Sequence, residues 1–287
     1  MPLLKSLTYG LKEAGFSPLT ILHSALYAAT VSYLRILKVI VAVGPQRFRR
    51  HLGETYHSKV LRLDDARRLI TINKDIEFRN LDQLLPFKHA RDIVLKNPHN
   101  IVVYECPCRA QKKDPCRPTD VCLVVGDPFV DLLRMFQPFR SRRITREEAV
   151  RILREEDERG HIHTAWFKSA MLDRFYAICN CCNCCCLGMK FMAAYHVSMI
   201  LPSGYRSVIG EDCNGCGECA PYCQFDALEM TPFSDDGNKG KRCRVIGERC
   251  FGCGICESKC RQGVISLILD PEKGVPLNIE ALARAGA

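Results

Sequence analysis

Much of what marks an enzyme is missing from this 287-residue chain, and each absence removes a class of chemistry. There is no G-x-G-x-x-G at a strand–helix junction and no G-x-x-x-x-G-K-[ST], so no cradle for nucleotide phosphates is recognisable. Neither G-x-S-x-G nor H-E-x-x-H occurs, which leaves out a nucleophile elbow and a zincin helix. Without a flavin or nucleotide site, two-electron exchange with a pyridine nucleotide would need a partner chain. The basic residues lack interleaved aromatics, so nucleic acid is not an expected partner. The longest uncharged stretch near the N-terminus, Leu19–Leu34, is 16 residues, short of the roughly 20 that a spanning helix needs. Met1–Pro18 has no compact apolar core ending in a small-residue cleavage site, so a cytoplasmic location is expected. The single tryptophan, Trp166, is expected in a core.

Cysteine, by contrast, is abundant, at nineteen residues. In a reducing compartment these read as metal ligands and not as a disulfide framework. Eight of them form two runs of one spacing, C-x2-C-x2-C-x3-C. The first is Cys213, Cys216, Cys219 and Cys223; the second is Cys250, Cys253, Cys256 and Cys260. Thiolate sulfur is soft, and four thiolates at short fixed spacing suit an iron–sulfur cluster. Three sulfurs of a run surround one site, and the fourth, carried away by three residues, reaches the other. The spacing therefore predicts one [4Fe–4S] cluster on Cys213, Cys216, Cys219 and Cys260, and a second on Cys250, Cys253, Cys256 and Cys223. Structural zinc pairs two C-x2-C knuckles across a loop instead of three cysteines plus one.

On these two runs the segment from about Ser207 to Leu269 resembles the bacterial two-cluster ferredoxins. The resemblance implies two halves, each strand, cluster loop, short helix, strand. The strands would be Ser207–Ile209, Ala227–Met230, Cys243–Ile246 and Ile265–Leu269, with Gly215, Gly217, Gly252 and Gly254 letting the backbone wrap a cluster. There are three departures. Gln224 and Arg261 stand where the family has proline, a long polar linker begins at Ser234, and Cys243 is extra. None removes a ligand.

Ten more cysteines lie in the middle of the chain. Cys106, Cys108, Cys116 and Cys122 occupy a loop in which Pro107, Pro115 and Pro118 argue against helix. Cys179, Cys181, Cys182, Cys184, Cys185 and Cys186 fill six of eight positions between two expected helical stretches, Thr164–Ile178 and Cys186–Met199. Adjacent cysteines point apart, so these six cannot all hold one metal. Ten thiols exceed the eight needed for two further four-iron clusters. A cluster with extra or bridging thiolates is one alternative; zinc on four, with the rest as buried filler, is another. The motif C-x-C-C-x-C-C-C with an upstream C-P-C-R looks like that of an uncharacterised group of anaerobe dicluster proteins, which implies no particular reaction.

Charge is uneven along a chain of net +9. Residues 1–60 carry eight Lys and Arg against two Asp and Glu, whereas 201–287 carry ten against twelve. Two oxidised clusters with their thiolates would add about −4 to the acidic end. The basic end predicts one long amphipathic helix, from an N-cap at Ser17 and Pro18 to a stop at Gly44-Pro45. Thr20, His23, Ser24, Tyr27, Thr30, Arg35 and Lys38 share a polar arc opposite Leu22, Leu26, Tyr33, Ile36, Leu37 and Ile40, and Val31, Leu34 and Val41 interrupt it. Such a helix packs on a core or lies on an anionic membrane surface, with Arg47, Arg49, Arg50 and His51 toward lipid. Further on, Thr145 and Glu148 form a capping box for a helix closed by Gly160. His161 and His163 then read as exposed polar surface, or as cluster ligands or proton donors. Arg140, Arg142, Arg143 and Arg146 read as a basic patch.

The expected fold class is α+β: a basic helical segment (1–60), a cysteine-rich, mainly helical domain (61–203) and a ferredoxin-like domain with two [4Fe–4S] clusters (204–287). The expected function is electron transfer through these clusters and one or two more. The chain would be a subunit of a larger oxidoreductase with redox partner proteins, peripheral on the inner membrane face if the helix meets lipid. The alternative is a reductase in its own right, with a substrate-binding cluster in the middle domain.

Overall fold

The computed structural model describes residues 31–89, 91–235 and 238–280. The expected cap at Ser17 and Pro18 and the wheel positions Thr20 to Thr30 lie outside them. Helix α1 (Val31–Val43) ends where the Gly44 N–H donates to the Ile40 carbonyl at 2.7 Å, and α2 (Gln46–Thr55) follows Pro45. The buried face of α1 is not the expected one. Leu34, Leu37 and Val41, two of which interrupt the polar arc, pack inward, while Ile36, Val39, Ile40 and Val43 are exposed.

The region up to residue 201 is not mostly helical. Its centre is a sheet of eight strands: β1 (Tyr56–Leu61), β2 (Ile76–Phe78), β3 (Ile93–Glu105), β4 (Asp120–Asp127), β5 (Ser141–Ile144), β6 (Ile162–Lys168), β7 (Arg174–Cys181) and β8 (Ile200–Leu201). The order is β2-β3-β4-β7-β6-β1-β8, with β5 beside β3. All pairs are antiparallel except β1–β8. The boundary expected near residue 60 falls inside β1, a central strand.

Helices cover both faces of this sheet. One face packs α3 (Leu63–Thr71) and α6 (Arg146–Glu158) through Leu69, Ile70, Ile152 and Leu153 onto Leu123, Phe167, Phe175 and Ile178. The other packs α1, α2, α5 (Phe129–Phe136) and α7 (Leu187–Tyr195) onto Tyr104, Val124, Trp166 and Tyr176. With both faces covered, β1, β6 and most of β7 are buried along their length, and their sequences lose the polar–apolar alternation of a half-exposed strand. That is why Thr164–Ile178 reads as a helix and is in fact a hairpin. Its turn places Leu172 and Asp173 at φ of 62° and 57°, a conformation usually advertised by Gly or Asn.

Half of the capping box forms: the Thr145 hydroxyl accepts from the Glu148 N–H at 3.2 Å, while the Glu148 carboxylate pairs with Arg142 at 2.7 Å. Pro107 does not exclude helix. It opens the one-turn α4 (Pro107–Ala110), where a missing N–H costs nothing.

The C-terminal lobe has two strand pairs. β9 (Tyr205–Ile209) pairs with β12 (Ile265–Leu269), and β10 (Leu228–Asp235) pairs with β11 (Asn238–Val245). The polar linker is therefore not a loop but the extended end of a hairpin, paired out to Asp235 and Asn238. A short helix, α8 (Ile255–Ser258), follows the second cysteine run. Leu277 and Ile279 return to the main sheet and pack on its α3/α6 face.

Candidate metal centres

In the C-terminal lobe, Cys213, Cys216, Cys219 and Cys260 line one pocket between α8 and the β10–β11 hairpin, with the buried Cys243 in its wall. The Cys219 and Cys243 sulfurs are 3.7 Å apart. The other four, Cys223, Cys250, Cys253 and Cys256, also converge, since each thiolate of Cys223, Cys250 and Cys256 opposes ionisation of Cys253. Burial is the larger effect and pushes the Cys256 thiol up to about 11. The Ser207 N–H points at the Cys250 sulfur (3.4 Å), the Ser207 hydroxyl meets Cys256 (3.1 Å), and the Ala227 N–H points at Cys223 (3.2 Å). N–H and O–H groups aimed at sulfur stabilise thiolate and tune a cluster's potential.

The ten middle thiols separate into a group of four and a group of six. Cys116, Cys182, Cys184 and Cys185 place their sulfurs within 4.8 Å of one another. Contacts of 3.0 Å (Cys116–Cys184), 3.4 Å (Cys182–Cys184), 3.6 Å (Cys184–Cys185) and 3.7 Å (Cys116–Cys182) hold the set. Four thiolates on one tetrahedral ion, at a metal–sulfur bond of about 2.3 Å, stand about 3.8 Å apart. A four-iron cube interposes its own irons and sulfides and holds its thiolates further apart. The spacing thus suits a single tetrahedral ion, and four thiolates select zinc or iron. The turn Cys182–Cys186 is closed by the Cys185 and Cys186 N–H groups on the Cys182 carbonyl.

The other six ring one cavity: Cys106, Cys108, Cys122, Cys179, Cys181 and Cys186 all line it. Cys122 on β4 and Cys179 and Cys181 on β7 project from one face of the sheet. The i, i+2 spacing of the last two makes this so. Cys106 and Cys108 come from the entry and first turn of α4, and Cys186 caps α7. The alternation assigns neighbours to different centres: Cys181 to the ring and Cys182 to the four, Cys185 to the four and Cys186 to the ring. Hydrogen bonding to Cys108 and burial push the Cys106 thiol up to about 12. Cys181, accepting from Cys179 and Cys186, is drawn below the ordinary thiol range despite its burial. Cys186 is the N-cap residue of α7, so a helix N-terminus faces the ring.

The ring lines a cavity walled by Leu34, Tyr56, Trp166, Tyr176, Phe191 and Met199. Trp166 is thus core, as expected, and cavity wall at once. Lys168 also lines this cavity; its Nζ lies 5.3 Å from the ring centroids of Tyr56, Trp166 and Tyr176, and burial lowers its pKa to about 8.

Arg109 assembles this region, and the sequence reading missed it. It is 1% exposed. Its Nη2 donates to Glu156 Oε2 at 2.6 Å and to the Asn180 carbonyl at 3.1 Å, and its Nη1 donates to the Pro118 carbonyl. One guanidinium so joins the α4 turn, the Cys116–Cys122 loop, β7 and the end of α6. Burial works against ionisation of Glu156, but His161 and Arg109 outweigh it and hold its carboxyl below the ordinary range. The signal lay in C-P-C-R, an arginine beside two thiols.

His161 and His163 are not exposed surface. Both are buried, with His161 Nδ1 2.7 Å from Glu156 Oε2 and His163 Nδ1 2.6 Å from Asn180 Oδ1. The basic patch is largely neutralised: Arg140 pairs with Glu105, Arg142 with Glu148, Arg143 with Asp131, and Arg146 donates to the Ile72 carbonyl.

The C-terminal lobe docks beside the cysteine turn. Gln224, where the ferredoxins carry proline, accepts from the Asn183 N–H (2.9 Å) and donates to the Gly160 carbonyl (2.8 Å). Lys259 Nζ donates to the Glu158 carbonyl at 2.7 Å. Phe225 stacks on Phe251 at 4.0 Å against the main core.

Crossed cysteine runs on a lobe of two short strand pairs define an iron–sulfur module of the two-cluster class. Residues 212–264 match the family model of the 4Fe-4S dicluster domain. No curated protein matches the chain. Among the described residues no helix is long and apolar enough to cross a membrane.

Proposed function

We propose that this chain is an iron–sulfur electron-transfer protein in which the dicluster lobe exchanges electrons with metal centres of the middle domain. In the lobe, Cys213, Cys216, Cys219 and Cys260 hold one four-iron cluster, and Cys223, Cys250, Cys253 and Cys256 hold the other. There are two further centres: a single ion on Cys116, Cys182, Cys184 and Cys185, and an iron–sulfur centre on the six-thiol ring. The observation that carries the reading is the Gln224 contact. The residue after cluster ligand Cys223 bonds the backbone of Asn183, which lies between Cys182 and Cys184. Electrons leaving the second cluster meet the four-thiol site first, and its peptide neighbours Cys181 and Cys186 belong to the ring. Iron at the four-thiol site makes it a relay, whereas zinc makes it a structural pin.

The chain works as a subunit of a larger oxidoreductase. The exposed Ile36, Val39 and Val43 of α1 support docking to another subunit or to the surface of a membrane. A second reading, reduction of a substrate in the middle domain, is favoured by the aromatic cavity beside the ring. Turnover of a substrate by the isolated chain with a chemical reductant would select it.

The test is iron, sulfide and zinc per chain on anaerobically purified protein, with EPR during stepwise reduction. The expected result is iron in excess of the about eight that two four-iron clusters contain, with dicluster signals broadened by a nearby paramagnet. About eight irons with unperturbed dicluster signals would refute the relay.

A further inference from the structure

We infer that the outer surface of α1 and α2 is a docking site for an anionic lipid bilayer, on which α1 lies flat among the headgroups. The inference deepens the docking part of the proposed function by committing it to one occupant. It rests on side chains alone and needs no metal, so docking and electron transfer can fail separately.

Helix α1 has three faces. Leu34, Leu37 and Val41 pack into the core beneath it. Ile36, Val39, Ile40 and Val43 stand at i, i+3, i+4 and i+7, a stripe roughly 100° wide. They are 62%, 63%, 43% and 81% exposed. Arg35 and Lys38, also exposed, fill the third face. Covering the sheet needs only the first face, and a helix with no further task carries polar residues on the rest.

The layer to which α1 belongs exposes more of the same. Met135 and Phe136 are exposed at the end of α5, and Phe139, in the turn that follows, is fully exposed. Of the eleven large apolar side chains exposed among the described residues, seven therefore lie on this one layer and its outgoing turn. Scattered single residues need no explanation, but a concentration on one side marks an interaction surface.

Charge says what covers it. From residue 14 to residue 53 the chain has no Asp or Glu, yet it carries Arg35, Lys38, Arg47, Arg49 and Arg50. Arg49 is folded inward. Its Nε and Nη2 donate to the Val41 and Ala42 carbonyls at 2.9 Å each, and its guanidinium lies over the Tyr195 ring. It thereby fixes the end of α1 against α2. Arg47, Arg50 and His51 stay exposed. An apolar stripe flanked by cations alone matches acyl chains beneath anionic headgroups. A second copy of the chain, joined by two-fold symmetry, would set these cations against one another. The 13 residues of α1 span about 20 Å, and three of their side chains are held in the core, so the helix lies on the bilayer and does not cross it.

Flotation of the anaerobically purified full chain with lipid vesicles tests this. The expected result is binding to vesicles of phosphatidylglycerol mixed with phosphatidylcholine, release as salt is raised, and no binding to phosphatidylcholine alone. Val39→Glu combined with Val43→Glu should weaken binding on the order of a hundredfold. Lys38→Gln and Arg50→Gln should each weaken it roughly fivefold. All four positions are exposed, so iron content and the dicluster EPR signals should match those of the parent and certify the fold. Absence of binding to the anionic vesicles overturns the lipid surface, as does binding that the double variant leaves unchanged. A dimer of the parent chain that the double variant dissolves also overturns it and makes the stripe a contact between copies. Should a variant fail to fold, the parent chain on the two vesicle compositions still decides. None of these outcomes touches the iron count on which the relay stands.

Discussion

The two cysteine-rich regions hold sulfur in opposite ways. In the C-terminal lobe each proposed cluster would take three ligands from seven consecutive residues and one from the partner run, so the chain would wrap its metal locally. In the middle domain the ring collects thiols from β4, β7, the α4 turn and the cap of α7, segments 80 residues apart at the extremes. The first arrangement needs only a flexible loop, whereas the second needs a folded sheet to bring its ligands together. Metal binding and folding should therefore be separable in the two regions.

The largest effect should come from Arg109→Ala. It removes bonds to Glu156, Asn180 and Pro118 and leaves the buried Glu156 carboxylate with only Arg159, at 3.3 Å, and His161 beside it, a loss of about 3 kcal/mol. The expected outcome is loss of the middle-domain metal with retention of about eight irons and the dicluster EPR signals. Arg109→Lys should rescue little, because an ammonium cannot span partners arranged for a planar fork. Equal iron loss from both regions would show that the lobe depends on the sheet and would break the contrast.

Gln224→Pro restores the ferredoxin-like residue and tests the junction. It deletes two hydrogen bonds of about 1 kcal/mol each. Iron content should hold, while broadening of the dicluster signals by the middle centres and the rate of electron passage to them fall. Gly160→Ala acts on the same seam. Gly160 sits at φ +79°, and a Cβ there would lie 2.6 Å from the Tyr222 ring. A cost of about 1–2 kcal/mol in thermal unfolding is expected from the backbone conformation alone.

The same contrast explains what could be read from the sequence. The dicluster lobe was legible because its ligand geometry is encoded in spacing: four residues at fixed intervals suffice, and a family model matches that segment. The N-cap at Thr145 and the stop at Gly44 were legible for the same reason, being local. The ring was not, because nothing in spacing tells Cys181 from Cys182. Only the end of β7 at Cys181, where the turn Cys182–Cys186 begins, divides them. The sheet itself was hidden by its burial on both sides, and the hairpin at Leu172 and Asp173 by turn residues that carry no signal. His161 and His163 looked exposed because they follow a charged helix, yet that helix end is covered by the C-terminal lobe through Tyr222 and Gln224.

Cys243 gives the smallest effect and the sharpest check on the lobe. It lies in the wall of the first cluster's pocket, 3.7 Å from ligand Cys219, and the crossed runs already supply four ligands without it. Its own thiol is pushed up to about 12, by burial first and by the charge of Cys219 next. It therefore stays protonated and can donate to the ligand sulfur once that sulfur is ionised. A donor to sulfur favours the more negative, reduced cluster. Cys243→Ala should leave iron content unchanged and lower the potential of the first cluster alone, by the worth of one weak hydrogen bond, about 0.5–1 kcal/mol. Redox titration followed by EPR separates the outcomes. A loss of iron would make Cys243 a ligand and break the crossed assignment, and a shift in both clusters would mean that the two are not held independently.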